Sequence, residues 1–252
     1  MDESTADPGG TELPTATATP PTTFEGFKPE AIQFLADLAA NNDRSWFTPR
    51  KADYERLLKR PLEALCVALD ERFKALGVPL QADPARSPFR IYRDTRFSKD
   101  KSPYKTNLGA GFPWIENREA PGSHGDPHGA GGYFHLEPGE IFVGGGMYHA
   151  ETPRLTAFRR AIVADPEGTL AILEDPKFVA RFGKVNGHAS LKRVPPGYPA
   201  DHPQAELLKM KDVVFGRRLS DAEATRADLP DLVAETLADG VPVMRFLSNL
   251  PA

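Results

Sequence analysis

The spacing of the apolar residues changes twice along the chain, and this order limits the folds that the chain can adopt. From Pro29 to Gly77 apolar side chains recur every three or four residues, which predicts amphipathic helices. From Phe89 to about residue 144 they alternate, which predicts strands, and after Thr152 the helical spacing returns. Separate runs of helices and strands favour an α+β fold over a doubly wound parallel sheet.

The central part of the chain predicts a mostly antiparallel sheet. Residues 89–97 alternate in character, so Phe89 and Phe97 are expected to face the core from one strand. Residues 105–114 predict a second strand, and residues 116–132 a long loop. A hairpin near 133–143, turning at Pro138-Gly139, is expected to pair Leu136 with Ile141 and Phe134 with Val143.

The C-terminal part predicts mainly helices, because several prolines stand where helices begin. Three Thr-Pro or Asp-Pro pairs, at 152–153, 165–166 and 175–176, place a capping side chain before a first-turn proline. Short strands are expected at 189–194 and 212–219, and further helices follow Ser220. Residues 1–23 are rich in Thr and Pro and predict a disordered tail, so the expected folded unit is a single α+β domain over residues 24–252.

Composition excludes several classes of protein. The only cysteine, Cys66, lies on an apolar helical stripe and rules out an internal disulfide or a multi-cysteine zinc site. No window approaches eighteen apolar residues, and the N-terminus lacks a secretory signal pattern, so we expect a cytoplasmic protein without a membrane association. The net charge of −4 argues against general nucleic-acid binding.

Positive charge is nevertheless concentrated in one segment. Residues 86–106, here called the basic segment, carry seven Lys or Arg against Asp94 and Asp100, a net charge of +5 inside a chain whose remainder carries −9. Arginine forks and lysine ammonium groups bind phosphate or carboxylate oxygens. The sequence therefore predicts a site for a small phosphate- or nucleotide-like anion, with no cofactor or metal, formed by Arg90, Arg93, Arg96, Lys99, Lys101, Tyr104 and Lys105.

Two other interpretations of the basic segment remain open. It can be a solvated edge strand in which Asp94 pairs with Arg90 or Arg96. It can also be the contact surface of a non-enzymatic module that docks an acidic protein or a nucleic-acid segment. Whether the protein is an enzyme is not decided by these residues.

A pocket beside the basic segment is a further expectation, provided that the fold brings the hairpin and a second basic patch next to it. The triple glycine at 144–146 allows backbone amides to approach a phosphate, although neither a Walker lysine nor dinucleotide spacing follows. The candidate pocket residues come from the hairpin and from the patch after it: Tyr133, His135, Gly145, Tyr148, Lys192 and Arg193.

Two catalytic patterns also occur in the sequence. His124, Asp126 and His188 have the composition of an iron-binding facial triad, which makes an iron-dependent oxygenase a third hypothesis, although two of these ligands lie in a Gly/Pro-rich loop. Ser98 and Lys101 match the Ser-x-x-Lys spacing of penicillin-binding proteins, but Pro103 follows at once and the companion motifs are missing.

The long motif RDTRFSKDKSPYKT at residues 93–106 resembles that of an uncharacterised conserved family of bacteria and fungi, the domain of unknown function type 2461. Asn41-Asn42 and Trp46-Phe47 before the motif, and the stretches 144–148 and 196–198 after it, extend the resemblance. The similarity begins near Phe24 and continues almost to the C-terminus. It implies that these residues form one unit, and it implies no catalytic residue.

Overall fold

The computed structural model describes residues 23–116 and 129–251. Helices occupy the N-terminal part, a four-stranded antiparallel sheet the middle and further helices the C-terminal part, which confirms the predicted α+β fold. One hydrophobic cluster contains residues from Phe24 to Leu250. The tail predicted for residues 1–23 lies, except for its last residue, outside the described residues.

The N-terminal helices follow one another closely. They are α1 (Pro29–Ala40), α2 (Arg44–Phe47), α3 (Lys51–Tyr54) and α4 (Arg60–Leu76). A 3-10 turn joins α2 to α3, and a π-helical stretch, Glu55–Lys59, joins α3 to α4. The wider turn precedes Pro61, which lacks an N–H and would clash with the preceding turn inside a regular helix. Gly77 then ends α4 in the left-handed conformation.

The sheet has the order β1-β2-β3-β4, and all three pairs are antiparallel. Its strands are β1 (Leu108–Pro113), β2 (Gly131–Glu137), β3 (Glu140–Met147) and β4 (Val213–Leu219). The hairpin is confirmed in register, because Leu136 pairs with Ile141 and Phe134 with Val143. Two predicted strands do not form, since residues 89–97 and 189–194 make only isolated bridges.

Most of the C-terminal helices begin within two residues of a proline. The C-terminal helices are α5 (Thr152–Ala164), α6 (Pro166–Leu173), α7 (Pro176–Phe182), α8 (Ala205–Lys209), α9 (Asp221–Ala224), α10 (Leu229–Asp239) and α11 (Val241–Ser248). Asp165 and Asp175 accept hydrogen bonds from the first backbone amides of α6 and α7, as expected. Thr152 differs from the prediction, because it is the first residue inside α5 and does not cap it.

Helices cover one face of the sheet. On that face Phe112 of β1 packs edge-on against Phe73 of α4, and Phe215 of β4 packs against Phe178 of α7. Phe134 of β2 stacks on Phe27, and helices α10 and α11 pack against β3. The opposite side, here called the outer face, carries the half-buried side chains of Tyr133, His135, Glu137 and Phe142. The sheet therefore separates a hydrophobic core from a more polar surface.

In the described ranges, no helix is both long and apolar enough to cross a lipid bilayer.

Candidate anion-binding site

The basic segment runs along the free edge of β1 and then folds back to enter that strand. The amide of Phe89 donates to the carbonyl of Gly109 at 2.8 Å, so the first part of the segment pairs with β1. The amide of Arg93 donates to the carbonyl of Pro103, and that of Lys105 donates to the carbonyl of Ile91. These bonds close a loop over residues 94–102, here called the basic loop, beside the first strand.

Ion pairs within the basic loop neutralise part of its charge. Asp94 accepts hydrogen bonds from the side chain of Arg96, from Nη2 at 2.7 Å and from Nε at 3.0 Å, and this is one of the pairings expected for a charged surface. Asp100 pairs with Arg93 and also accepts the hydroxyl and the amide of Ser102. These hydrogen bonds lower the pKa of Asp94, chiefly through Arg96, and that of Asp100, chiefly through Ser102, to about 2 in each case.

The other cations of the basic segment differ in environment. Lys101 donates to the carbonyl of Thr95 at 2.8 Å. Arg90 and Lys99 are exposed and form no salt bridge with any described residue, although the charge of Arg90 acts on Asp94 and Lys105. Lys105 is half-buried, with its amine 5.2 Å from the ring centre of Phe89. Lys105 is therefore the lysine of this segment that the fold withdraws from solvent.

A polar pocket of about 440 Å³ opens where the basic segment meets the end of α1. Its lining contains two cations, one paired carboxylate and several uncharged residues, most of them polar. These residues are Ala39, Asn42, Arg93, Asp100, Ser102, Tyr104, Lys105, Thr106 and Asn107. Burial, and secondarily the charge of Arg90, lower the pKa of the Lys105 ammonium. An anion placed here would offset both the burial of the ammonium group and its repulsion by Arg90.

Tyr104 is placed mainly by packing. Its ring is buried and stacks on Phe47 at 4.1 Å between ring centres, and it also meets Tyr92 at 5.5 Å. Its backbone forms two hydrogen bonds with the side chain of Asn42. Tyr104 thus fixes one wall of the pocket through its ring and its backbone.

The outer face beside the pocket carries a second polar group. The hydroxyl of Tyr133 lies 3.0 Å from Nδ1 of His135, and Nε2 of His135 lies 3.4 Å from the Glu137 carboxylate. Burial lowers the pKa of His135, while Glu137 acts in the opposite direction. Burial also raises the pKa of Tyr133 to about 12, so its hydroxyl is protonated at neutral pH.

The remaining candidate pocket residues are not among those that line the pocket at Lys105. A β-carbon at Gly145 would meet the sulfur of Met244 at 2.9 Å, so this glycine faces the core. Tyr148 is 54% exposed and contacts His188 edge-on. Lys192 and Arg193 are exposed in a segment that bridges to Met210 beyond β4, whereas the basic segment lies beyond β1. Neither of these two cations lines the 440 Å³ pocket.

The proposed iron ligands are only partly described. His124 and Asp126 lie outside the described residues, and His188 is an exposed residue against Tyr148. In residues 23–116 and 129–251, no group of three His, Cys, Asp or Glu side chains is arranged to hold a metal ion. Ser98 and Lys101 lie in the irregular basic loop, where they lack the helical turn that the Ser-x-x-Lys pattern needs.

A second pocket, of about 300 Å³, lies between α1 and α3. Its lining includes Glu30, Asp37 and Asp53, and the guanidinium of Arg50 is placed over the ring of Trp46. Its three carboxylates outnumber its two arginines, Arg50 and Arg56, which makes this pocket less suited to an anion than the one at Lys105.

Several residues of the site were not singled out as site residues in the sequence. The side chain of Asn42 contacts Tyr104, which lies 62 residues later in the sequence. The side chain of Asn107 contacts His135, which lies 28 residues later. Thr106 donates to Glu137 at 2.7 Å across a similar separation. In the sequence, the asparagine pair at 41–42 is marked only by the family resemblance. An isolated polar residue gives no local sign that it contacts a distant segment.

These features define an α+β protein whose antiparallel sheet is covered by helices on one face and bordered by a basic pocket at its first strand. Comparison with family models gives a match to the "Conserved hypothetical protein (DUF2461)" family over residues 30–246, and the chain belongs to this family. Neither a comparison with curated proteins nor one with solved structures gave a match.

Proposed function

We propose that the protein binds a small phosphate-like anion in the pocket formed by the basic segment and the end of α1. One observation carries the proposal: Lys105 is half-buried in a polar pocket, its pKa is lowered, and it forms no ion pair with a described residue. Partial burial of a cation without a counter-ion is unfavourable, and an anion in the pocket would offset this cost.

The donors around Lys105 suit an oxyanion. Arg93 uses only Nη1 for Asp100 and for the carbonyl of Ser102, so its other guanidinium nitrogens keep donors available within the described structure. The side chain of Asn107 also borders the pocket. Two cations and neutral N–H groups around one cavity provide the charge-assisted hydrogen bonds that phosphate and carboxylate groups accept.

Binding is tested by calorimetric and thermal-shift titrations of the full chain with inorganic phosphate, pyrophosphate and nucleotides. Because a hydrogen bond to a charged group contributes about 1.5–3 kcal/mol, Lys105→Gln should weaken binding roughly ten- to a hundredfold. Lys99→Gln is the matched control, since Lys99 belongs to the same segment but is exposed and lies outside the pocket. An equal response of the two variants, or no response of the wild type, would contradict the proposal.

A second function is favoured by the tip of the basic loop. Phe97 is 95% exposed, and the guanidinium of Arg96 lies 5.8 Å from its ring centre. An exposed aromatic ring among cations suits docking onto an acidic protein segment. Binding to such a partner that is lost with rising salt and with Phe97→Ser, together with indifference to small anions, would favour this function over the pocket.

A further inference from the structure

We propose that Tyr133, His135 and Glu137 form a proton relay beside the anion pocket, and that Tyr133 exchanges a proton with a hydroxyl group of the bound anion. This inference rests on the proposed function, because the pocket at Lys105 would hold the charged end of the ligand. It names the ligand class more narrowly, as a small anion that also carries a hydroxyl group.

The relay follows from the geometry of one strand. Residues two apart on a strand face the same side, so Tyr133, His135 and Glu137 of β2 share the outer face. The Tyr133 hydroxyl lies 3.0 Å from Nδ1 of His135, and Oε2 of Glu137 lies 3.4 Å from Nε2 on the other side of the same ring. The imidazole is thus placed between a hydroxyl group and a carboxylate.

The neighbours of His135 select one tautomer. Nδ2 of Asn107 lies 3.3 Å from Nδ1, and because an amide nitrogen donates, this contact favours Nδ1 as the acceptor. The ring proton is then on Nε2, which is buried, faces the Glu137 carboxylate and has no hydrogen bond to a described residue. With this tautomer Nδ1 is unprotonated and also faces the Tyr133 hydroxyl at 3.0 Å, so it can take a proton from Tyr133.

Packing fixes the orientation of the relay. The imidazole stacks on Phe142 with 4.7 Å between ring centres and 17° between planes. A β-carbon at Gly109 would lie 2.7 Å from the Tyr133 hydroxyl oxygen, so the glycine of the neighbouring strand provides the space for that hydroxyl. Side chains held in this way need little reorganisation before a proton moves.

Two residues join the relay to the pocket. Thr106 lines the pocket and donates to Oε1 of Glu137 at 2.7 Å, and Asn107 lines the pocket and contacts His135. On the outer face, the amine of Lys105 lies 5.2 Å from the ring centre of Phe89, which stacks on Tyr133 with 5.7 Å between ring centres. An anion on Lys105 could therefore extend past Phe89 towards the Tyr133 hydroxyl.

The proton transfer is balanced within these groups. The ligand hydroxyl gives its proton to the Tyr133 oxygen as Tyr133 gives its own proton to Nδ1 of His135, which leaves an alkoxide on the ligand and an imidazolium at His135. The resulting imidazolium is stabilised by Glu137 on its own strand and by Glu140 on β3, the two carboxylates whose charges act on His135. Tyr133 is then the residue that touches the ligand, whereas His135 and Glu137 position and assist it.

The test combines nitrogen NMR of His135 with binding of two ligands, inorganic phosphate and glycerol phosphate. We expect the Nε2–H tautomer in the free protein, and a rise in the His135 pKa when phosphate binds, because a nearby anion favours the imidazolium. Tyr133→Phe should weaken the binding of glycerol phosphate several-fold and leave the affinity for inorganic phosphate unchanged. Tyr92→Phe removes a hydroxyl from an exposed ring and should change neither affinity.

The possible failures can be told apart. If neither ligand binds the wild type, the pocket and the relay that depends on it are both rejected. If both ligands bind but His135 is the Nδ1–H tautomer, or Tyr133→Phe weakens both ligands equally, the relay is wrong and the anion site remains. A nitrogen NMR spectrum like that of the wild type, together with retained phosphate binding, would show that Tyr133→Phe still folds.

Discussion

The side chain of Asn42 forms two reciprocal hydrogen bonds with the backbone of Tyr104. Nδ2 donates to the Tyr104 carbonyl at 2.9 Å, and Oδ1 accepts the Tyr104 amide at 3.1 Å. Through this pair the turn after α1 holds the returning part of the basic segment, 62 residues later in the chain. The wall of the anion pocket therefore depends on a residue outside the basic segment.

Asn42→Ala should destabilise the protein by about 1–3 kcal/mol, because it leaves a largely buried backbone donor and acceptor without partners. Chemical denaturation measures this change, and phosphate titration should show weaker binding in the same variant. Asn41→Ala is the control, since its side chain is exposed and reaches only the carbonyl of Asp37 within α1. Equal losses of stability in the two variants would contradict the assigned role of Asn42.

The pKa of Asp100 gives a prediction about pH. Its pKa is lowered to about 2, first by the hydroxyl and amide of Ser102 and then by Arg93. A lowered folded-state pKa contributes stability that is fully present above the unfolded value, about 3.9, and is lost as the pH falls through about 2. Carboxyl carbon NMR should therefore show Asp100 still ionised at pH 3.

Ser102→Ala should raise the Asp100 pKa, and removal of the Arg93 charge in Arg93→Gln should raise it as well. Asp37→Asn should leave that pKa unchanged, because the exposed carboxylate of Asp37 accepts from Gln33 and takes no part in the basic loop. An Asp100 pKa near 3.9 in the wild type would show that the loop is not held as described.

Gly109→Ala should destabilise the sheet by about 1–3 kcal/mol, the usual cost of forcing an additional group into a packed site. The new methyl group would lie 2.7 Å from the Tyr133 hydroxyl oxygen and 3.1 Å from its ring, so Tyr133 would have to move away from His135. The His135 NMR signals should then shift towards those of Tyr133→Phe.

Gly111→Ala is the comparison for that variant. It lies on the same face of β1, but its β-carbon would meet only the ring of Phe89, at 3.3 Å, and Phe89 is 46% exposed and can move. We expect a change in stability within about 1 kcal/mol and unchanged His135 signals. A larger effect at Gly111 than at Gly109 would contradict the close contact with Tyr133.

Cys66 should be unreactive in the native protein. Its side chain is fully buried in α4, and burial raises the pKa of its thiol, so little thiolate forms and reagents have no access. Ellman's reagent at pH 8 should detect no thiol under native conditions and one thiol per chain after unfolding. Rapid labelling of the native protein would show that α4 opens or is packed differently.

The sequence predicted the elements that local rules determine. The hairpin pairs, including Phe134 with Val143, followed from strict alternation around a Pro-Gly turn. Helices α6 and α7 followed from an aspartate before a first-turn proline. In both cases neighbouring residues supply the whole signal.

The strand predicted over residues 89–97 shows where alternation is insufficient. Ile91 is buried as expected, but Phe89 is 46% exposed and Phe97 is 95% exposed. The segment forms only scattered backbone pairs, such as the bridge between Tyr92 and Tyr104. Its alternating side chains therefore do not accompany a continuous ladder of hydrogen bonds to a neighbouring strand. Alternating side chains describe a strand only when an adjacent strand is available along its length.

The anion pocket was only partly predictable for a related reason. A high density of Lys and Arg marked residues 86–106, yet it could not distinguish the paired Arg96 from the half-buried Lys105. That difference arises from the carboxylate beside one and the burial of the other. Contacts of Asn42 and Asn107 with distant segments complete the pocket, and no local pattern records them.

The irregular segments on both sides of the sheet also affect how the protein behaves at high concentration. Ser87 and Phe89 pair with β1, and Asn186 exchanges two backbone bonds with Val214 of β4. Exposed strand edges act as templates onto which another chain can add a strand, which leads to aggregation. Because each outer strand is partly occupied by its own chain, and the segment beside β1 is rich in lysine and arginine, the sheet is poorly suited to growth into fibrils.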